Sequence, residues 1–387
     1  MKLSPSLSRS LAGLAVAAAV ALAAAPASAI ETTARYAYII DMRTGAVLLD
    51  KNADQRMPPA SMAKMMTAYM VFTYLKAGKA TLDDMLPVSE KAWRTQGSKM
   101  FVPIGGRIRL EDLLRGMIIQ SGNDACIVLA EGLGGSEDAF VEEMNKKAKE
   151  IGLTGSHFQN VTGLPHPEHY MTAKDLAILA RHIIEDFPEY YHYDSEKEFT
   201  YNGIKQGNRN PLLYKDIGAD GLKTGHTEEA GYGLTASVVR ENRRIVMVLA
   251  GMQTMKDRAR ESETLIEWAF REFGGYTLYK QGETVDEAEV WLGADAKVPL
   301  VVAQDAVATL PRRSRKDMKV TVSYEKPIKA PVQKGQQVGK LVISAPEIPN
   351  QEFPLVAAKD VERMGALGRV GAAVGYLMFG SGSGAKK

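Results

Sequence analysis

The sequence predicts an α+β protein: a large domain with an antiparallel sheet and a helical cluster, then a small all-β domain, then a C-terminal amphipathic helix. Three observations carry this expectation. Strand-pair patterns stand near both ends of residues 30–275, helical patterns fill the middle, and after Gly274 the chain shifts to short period-two runs.

Taken in order, Lys2 and Arg9 precede an apolar run from Leu11 to Ala25 that ends in Ala27-Ser28-Ala29. This reads as an export signal over residues 1–29, removed before Ile30, because the run is shorter than the roughly 20 residues a spanning helix needs. An uncleaved anchor is the alternative. Ala37–Asp41 and Ala46–Asp50 then flank the turn Met42-Arg43-Thr44-Gly45 and predict a hairpin. Helices are expected at Ser61–Lys76, Leu110–Ile119, Asp124–Gly132, Ser136–Ile151 and Thr172–Ile184. Ser136 before Glu137 and Asp138 supplies the fourth with a cap and a negative first turn. Gly233–Arg240 and Arg244–Ala250, joined at Glu241-Asn242-Arg243, give a second strand pair, and the four strands are expected to share one antiparallel sheet. A last helix, Glu261–Phe273, would return onto it.

The second domain is expected over residues 276–357, where runs such as Lys319–Tyr324 and Lys340–Ile343 are separated by Pro and Gly. Residues 358–387 form the tail. From about Lys359 to Phe379, Val361, Met364, Leu367, Gly371, Val374 and Met378 recur at three- and four-residue steps, the pattern of a helix lying on a membrane surface. Glycines at 365, 368, 371 and 375 weaken that helix by roughly 1 kcal/mol each, so a frayed tail is the competing reading.

Composition narrows the function. Of 387 residues, 45% are apolar and 24% charged, which excludes a disordered tail and a membrane bundle. Lys plus Arg number 48 against 46 acids, and residues 30–387 hold 46 of each, so no basic excess exists to grip a nucleic acid backbone. The lone Cys126 rules out an internal disulfide or a multi-cysteine zinc site and reads as a buried structural thiol. His166 and His169 flank Pro167 in an expected loop without a third metal ligand nearby. Gly221-Leu222-Lys223-Thr224 lacks the glycine spacing of a phosphate loop, and no cofactor is expected. The basic run Arg312, Arg313, Arg315 and Lys316 reads as a solvated hairpin tip.

The chemistry is expected at three places. In Pro58-Pro59-Ala60-Ser61-Met62-Ala63-Lys64 the prolines stop the preceding chain and a helix starts near Ser61, which puts Ser61 and Lys64 on one face. A serine hydroxyl needs a proton acceptor, and a lysine serves if burial or a second cation destabilises its ammonium. Ser121-Gly122-Asn123 lies in the turn between two expected helices and adds a hydroxyl and an amide. Lys223-Thr224-Gly225 precedes the strand near Gly231, where a lysine and a hydroxyl at a strand edge hold a carboxylate.

In this order and spacing the three elements resemble the serine acyl-transfer set of penicillin-binding proteins and class A β-lactamases. The chain resembles most closely the low-molecular-mass penicillin-binding proteins that act as D-alanyl-D-alanine carboxypeptidases, from Tyr38-Ile39-Ile40-Asp41 through Asp220–Thr227 and on into the β domain and the terminal helix. Ser-Gly-Asn is a form that family uses. The resemblance implies Ser61 as the acylated nucleophile, Lys64 as its base, Ser121 and Asn123 as proton-shuttle and positioning pair, and Lys223 as the cationic strand residue. It also implies substrate contacts from Thr224, Gly225 and His226, an oxyanion hole from the N–H groups of Ser61 and His226, and Arg258 near the terminal carboxylate. Lys223 is expected to keep its charge and thereby hold Lys64 neutral. Implied partners are peptidoglycan stem peptides, β-lactams as covalent inhibitors and, through the tail, the periplasmic side of the cytoplasmic membrane. Three rivals stay open. A β-lactamase is disfavoured by the lack of a Glu-x-x-Leu-Asn run between Asn123 and Lys223; an endopeptidase would share the chemistry; an inactive wall-binding scaffold is disfavoured by the intact motifs.

Overall fold

The expected first hairpin is present as β1 (Tyr36–Asp41) and β2 (Val47–Lys51). The computed structural model describes residues 30–366 except 347, and residue 368, so the expected export signal and most of the expected tail helix lie outside the described residues. After a 3-10 turn at Ala60–Ala63 come α1 (Lys64–Lys76), β3 (Met85–Pro87), α2 (Glu90–Arg94), β4 (Arg107–Arg109), α3 (Leu110–Ile118), α4 (Asn123–Gly134), α5 (Glu137–Glu150) and α6 (Ala173–Asp186). The Ser136 and Thr172 side chains cap α5 and α6 by accepting the amides of Ala139 and Asp175. A small hairpin, β5 (Glu198–Tyr201) and β6 (Ile204–Gly207), precedes β7 (Ala219–Thr227), β8 (Gly231–Arg240), β9 (Arg243–Met252) and α7 (Met255–Glu272).

The central sheet is antiparallel with order β2-β1-β9-β8-β7. It has five strands where four were expected, because Lys223-Thr224-Gly225 lies inside an edge strand rather than before one. Both faces are covered. Val246, Val248 and Ala250 of β9 join the core made by α1, α3, α4 and α6, while the alternating Ile245, Met247 and Leu249 are equally buried on the opposite side, where α7 packs on β8 and β9. The last helix starts six residues before its expected beginning, capped by Thr254, and so carries Arg258 in its first turn.

α7 runs straight into β10 (Phe273–Tyr279), so the expected boundary at 275 falls inside a strand. The second domain adds β11 (Thr284–Trp291), β12 (Lys297–Val302), β13 (Ala306–Pro311), β14 (Lys319–Tyr324), β15 (Ile328–Lys329), β16 (Gln337–Ser344) and β17 (Gln351–Ala357). Its main sheet has the order β14-β16-β17-β12-β11-β15, and β10 pairs with β13 beside it. The basic run at 312–317 forms a 3-10 turn whose Arg312 donates to the Phe270 and Arg271 carbonyls. Asp41, 1% exposed, accepts from Arg243 and from Thr309 of β13 and thus ties the two domains together.

The helix expected from about Lys359 does not begin there. Val361 bridges Val332, Arg363 bridges Gly293, and the Met364 amide donates to the Leu292 carbonyl, so residues 361–364 complete the β domain. Val361 is 2% exposed in that domain's core, which removes it from any membrane-facing stripe. Its burial in protein wins over a helical pattern that it satisfies only by spacing.

Candidate active site

Ser61 sits on the 3-10 turn at Ala60–Ala63, and Lys64 opens the α-helix that follows. Three residues per turn aligns positions i and i+3, so the two side chains meet: Lys64 Nζ lies 2.9 Å from Ser61 Oγ. Pro58 and Pro59 set up the turn, and Ala60 adopts a left-handed φ of 48°. Lys64 is 1% exposed, and its second acceptor is the Thr162 carbonyl at 2.6 Å. Burial pushes its ammonium down to about 8; Arg209 pushes the same way and Asp124 opposes.

Ser121 has φ 63°, which turns the chain between α3 and α4. Its buried hydroxyl has no partner. Asn123 donates from Nδ2 to the Gln96 carbonyl at 2.6 Å, which leaves its buried Oδ1 open. Behind it Asp124, fully buried, accepts the amides of Met100, Phe101 and Val102 at 2.9, 2.8 and 3.2 Å and so fixes the loop beside the site.

The third wall is β7, whose packing on the Ser61 turn depends on Gly225: a Cβ there would lie 3.0 Å from the Pro59 carbonyl oxygen and 3.2 Å from Ala60 Cβ. Lys223 and Thr224 are 4% and 5% exposed. Lys223 Nζ makes only a long 3.4 Å contact with the Thr224 carbonyl. His226 is exposed and stacks on Tyr232 of β8, ring centroids 3.9 Å apart. Arg258, 4% exposed, reaches over the Tyr232 ring and donates to the Arg209 carbonyl at 3.3 Å, with its Nε unpartnered.

The electrostatics differ from the expectation in one respect. Burial pushes Lys223 well below the ordinary lysine range, with Lys64 and Arg209 adding to it, so Lys223 has no privileged charge. Cys126, buried in α4, has its thiol pushed up to about 12 by burial and stays an inert core group. His169 is buried and His166 exposed, so the two histidines do not share an environment.

Several contributors were not singled out from the sequence. Thr162 orients Lys64 through a backbone carbonyl; Asn160 Oδ1 holds that loop by accepting the Thr162 and Gly163 amides; Arg209 donates to Ser98 at 2.8 Å beside the Asn123 loop. A backbone acceptor leaves no side-chain signature, and Arg209 belongs to no local motif.

A serine hydroxyl on a buried lysine, two open polar groups and a cation-lined edge strand define a serine acyl-transfer hydrolase. Comparison with known proteins places that class in a family. Residues 21–254 match the family described as D-alanyl-D-alanine carboxypeptidase, and residues 273–363 match the C-terminal domain of penicillin-binding protein 5. The Escherichia coli D-alanyl-D-alanine carboxypeptidase DacC is 41% identical over 345 residues, 87% of this chain and 86% of the relative. The Bacillus subtilis carboxypeptidase DacF is 35% identical over 342 residues, 86% of this chain and 87% of that one. Among solved structures, penicillin-binding protein 5 from Haemophilus influenzae superposes with TM-score 0.79 at 39% identity, covering 86% of this chain and 99% of that one. Penicillin-binding protein D2 from Listeria monocytogenes, in its ampicillin-bound form, gives TM-score 0.58 at 30% identity over 62% of this chain and 98% of that one. The chain belongs to the D-alanyl-D-alanine carboxypeptidase family of serine hydrolases, and D-alanyl-D-alanine carboxypeptidase is its activity.

Proposed function

We propose that this protein removes the terminal D-alanine from peptidoglycan stem pentapeptides through an acyl-enzyme on Ser61. The observation that carries the reading is the 2.9 Å contact between Ser61 Oγ and a buried lysine whose ammonium is pushed down to about 8, within reach of the base role. Lys64 takes the hydroxyl proton as Oγ attacks the penultimate carbonyl carbon. The amide N–H groups of Ser61 and His226 receive the developing oxyanion, a contribution typically of several kcal/mol. The C–N bond then breaks, the leaving D-alanine nitrogen takes a proton relayed through Lys64 and Ser121, and water hydrolyses the ester that remains. Asn123 Oδ1 positions the substrate amide, while Lys223, Thr224, Gly225, His226 and Arg258 line the place of its terminal carboxylate. β-Lactams acylate the same serine and block it. Lys64's second partner is a backbone carbonyl rather than a glutamate, which favours a slowly released penicillin adduct over rapid β-lactamase turnover.

The export signal at 1–29 and the tail after residue 366 support placement on the periplasmic face of the cytoplasmic membrane, with the tail on the lipid surface. Among the described residues no helix is long and apolar enough to cross a membrane.

The test is a fluorescent penicillin together with D-alanine release from a diacyl-D-alanyl-D-alanine peptide. Wild type should label on Ser61 and release D-alanine; Ser61→Ala should do neither. Undiminished labelling of Ser61→Ala would place the nucleophile elsewhere.

A further inference from the structure

β7 and β8 pair so that His226 stands directly opposite Tyr232, which puts both side chains on one face of the sheet. That is the face α7 covers, because Leu234, Ala236 and Val238 follow Tyr232 at two-residue steps and share a side with Ile245, Met247 and Leu249. α7 brings Arg258 to the same place in its first turn. Between the pairs Leu234–Leu249 and Tyr232–Met252 the register shifts by an extra residue on β9, where Gly251 has φ 77°. Such a bulge re-aims the side chains beside it.

The half-buried Tyr232 ring meets both neighbours. The His226 imidazole stacks on it with centroids 3.9 Å apart and 28° between planes, and the Arg258 guanidinium lies over it at 5.6 Å. Neither neighbour is held firmly by anything else. His226 is exposed and makes no side-chain hydrogen bond among the described residues. Arg258, although 4% exposed, has one long hydrogen bond of 3.3 Å to the Arg209 carbonyl, an unpartnered Nε and no ion pair among the described residues. A carboxylate beside Arg258 would fix the guanidinium but cancel its charge. An aromatic face attracts the cation and leaves the charge for an incoming carboxylate. The Tyr232 hydroxyl makes no hydrogen bond among the described residues, so the ring is the part that acts.

We infer that Tyr232 is a positioning residue for the carboxypeptidase reaction: its ring holds His226 and Arg258 in the orientation that receives the substrate's terminal carboxylate, without neutralising the arginine. The inference rests on the proposed place of that carboxylate beside His226 and Arg258. Strand pairing keeps the His226 backbone in register whatever stands at 232, so loss of the ring weakens carboxylate recognition more than it slows the step at Ser61.

The test is steady-state hydrolysis, by the mature protein, of a diacyl-D-alanyl-D-alanine peptide and of the same peptide ending in an amide. In Tyr232→Leu, KM for the free acid should rise about tenfold, more than kcat falls, and the preference for acid over amide should shrink by a similar factor. Tyr232→Phe keeps the ring and should restore most of both. Equal losses on acid and amide, or a Phe variant as impaired as the Leu variant, would overturn the inference. If Tyr232→Leu does not fold, phenylalanines of increasing fluorination at position 232 decide, because they keep the ring's shape while weakening its negative face. KM for the acid should climb along that series, and a flat series overturns the inference. Arg258→Ala separates the two levels. An unchanged preference for the acid in that variant sinks the carboxylate reading itself, whereas a lost preference there beside an unchanged one in Tyr232→Leu sinks only the role of Tyr232.

Discussion

A lysine tip enclosed by protein keeps its proton only as long as its acceptors repay the water it has lost, and Lys64 has two, Ser61 Oγ and the Thr162 carbonyl. The same competition governs His169, for which the sequence offered only a nearby second histidine. Its ring packs edge-on against Phe158 at 5.7 Å, its Nε2 is buried without a partner, and burial holds its imidazole down to about 4. In the unfolded chain that group titrates near 6.5, so between the two values the unfolded state binds more protons. Its contribution is complete above about pH 6.5 and is lost as pH falls toward 4, up to about 3 kcal/mol. Denaturant unfolding at pH 7 and pH 4.5 should show a smaller acid loss in His169→Gln than in wild type. Equal losses would mean that other groups carry the acid sensitivity. At this scale residue types were legible from the sequence; environments were not, because burial is a property of what folds around a group.

At the scale of elements the site is three segments held at close range by small residues. Gly163, φ 78°, lies against the Ser61 turn, where an added Cβ would fall 1.9 Å from the Ala60 carbonyl oxygen. Gly163→Ala must therefore push the loop at 160–163 away from the turn, taking the Thr162 carbonyl from Lys64. The expected result is a stability loss of about 1–3 kcal/mol and at least a tenfold slower acylation by penicillin, read by melting and by rapid-quench labelling. An acylation rate equal to wild type would show that Thr162 does not orient the base. The Ser61–Lys64 pairing could be read from the sequence because i and i+3 meet on any helical turn. Thr162 could not, since it lies 98 residues from Lys64 and acts through a group every residue possesses.

At the scale of the whole molecule, the two domains share a strand junction and a buried polar link. Asp41, Arg243 and Thr309 come from β1, β9 and β13, and β10 follows α7 without a linker, so the β domain joins the catalytic one through both chain and side-chain contacts. This sets where the tail can be removed. A cut after Leu355 would split β17 and delete the buried Val361, whereas a chain of residues 30–366 keeps every bridge of the β domain. That chain should melt with the mature protein, hydrolyse a small peptide equally well and no longer sediment with anionic vesicles. Persistent sedimentation would move the membrane contact to another surface, with the basic turn at 312–317 the first to test.

From its sequence alone the molecule was legible as α+β, with its strand pairs, most of its helices and the three reactive motifs, because periodicity, capping and i, i+3 spacing are local consequences of backbone geometry. Tertiary structure alone decided that Lys223 sits within a fifth, edge strand, that Arg258 lies in the first turn of α7 and that Val361 belongs to the β-domain core. Those outcomes depend on which distant segments exclude water from one another, and desolvation and close approach are set by the assembled fold rather than by any stretch of chain.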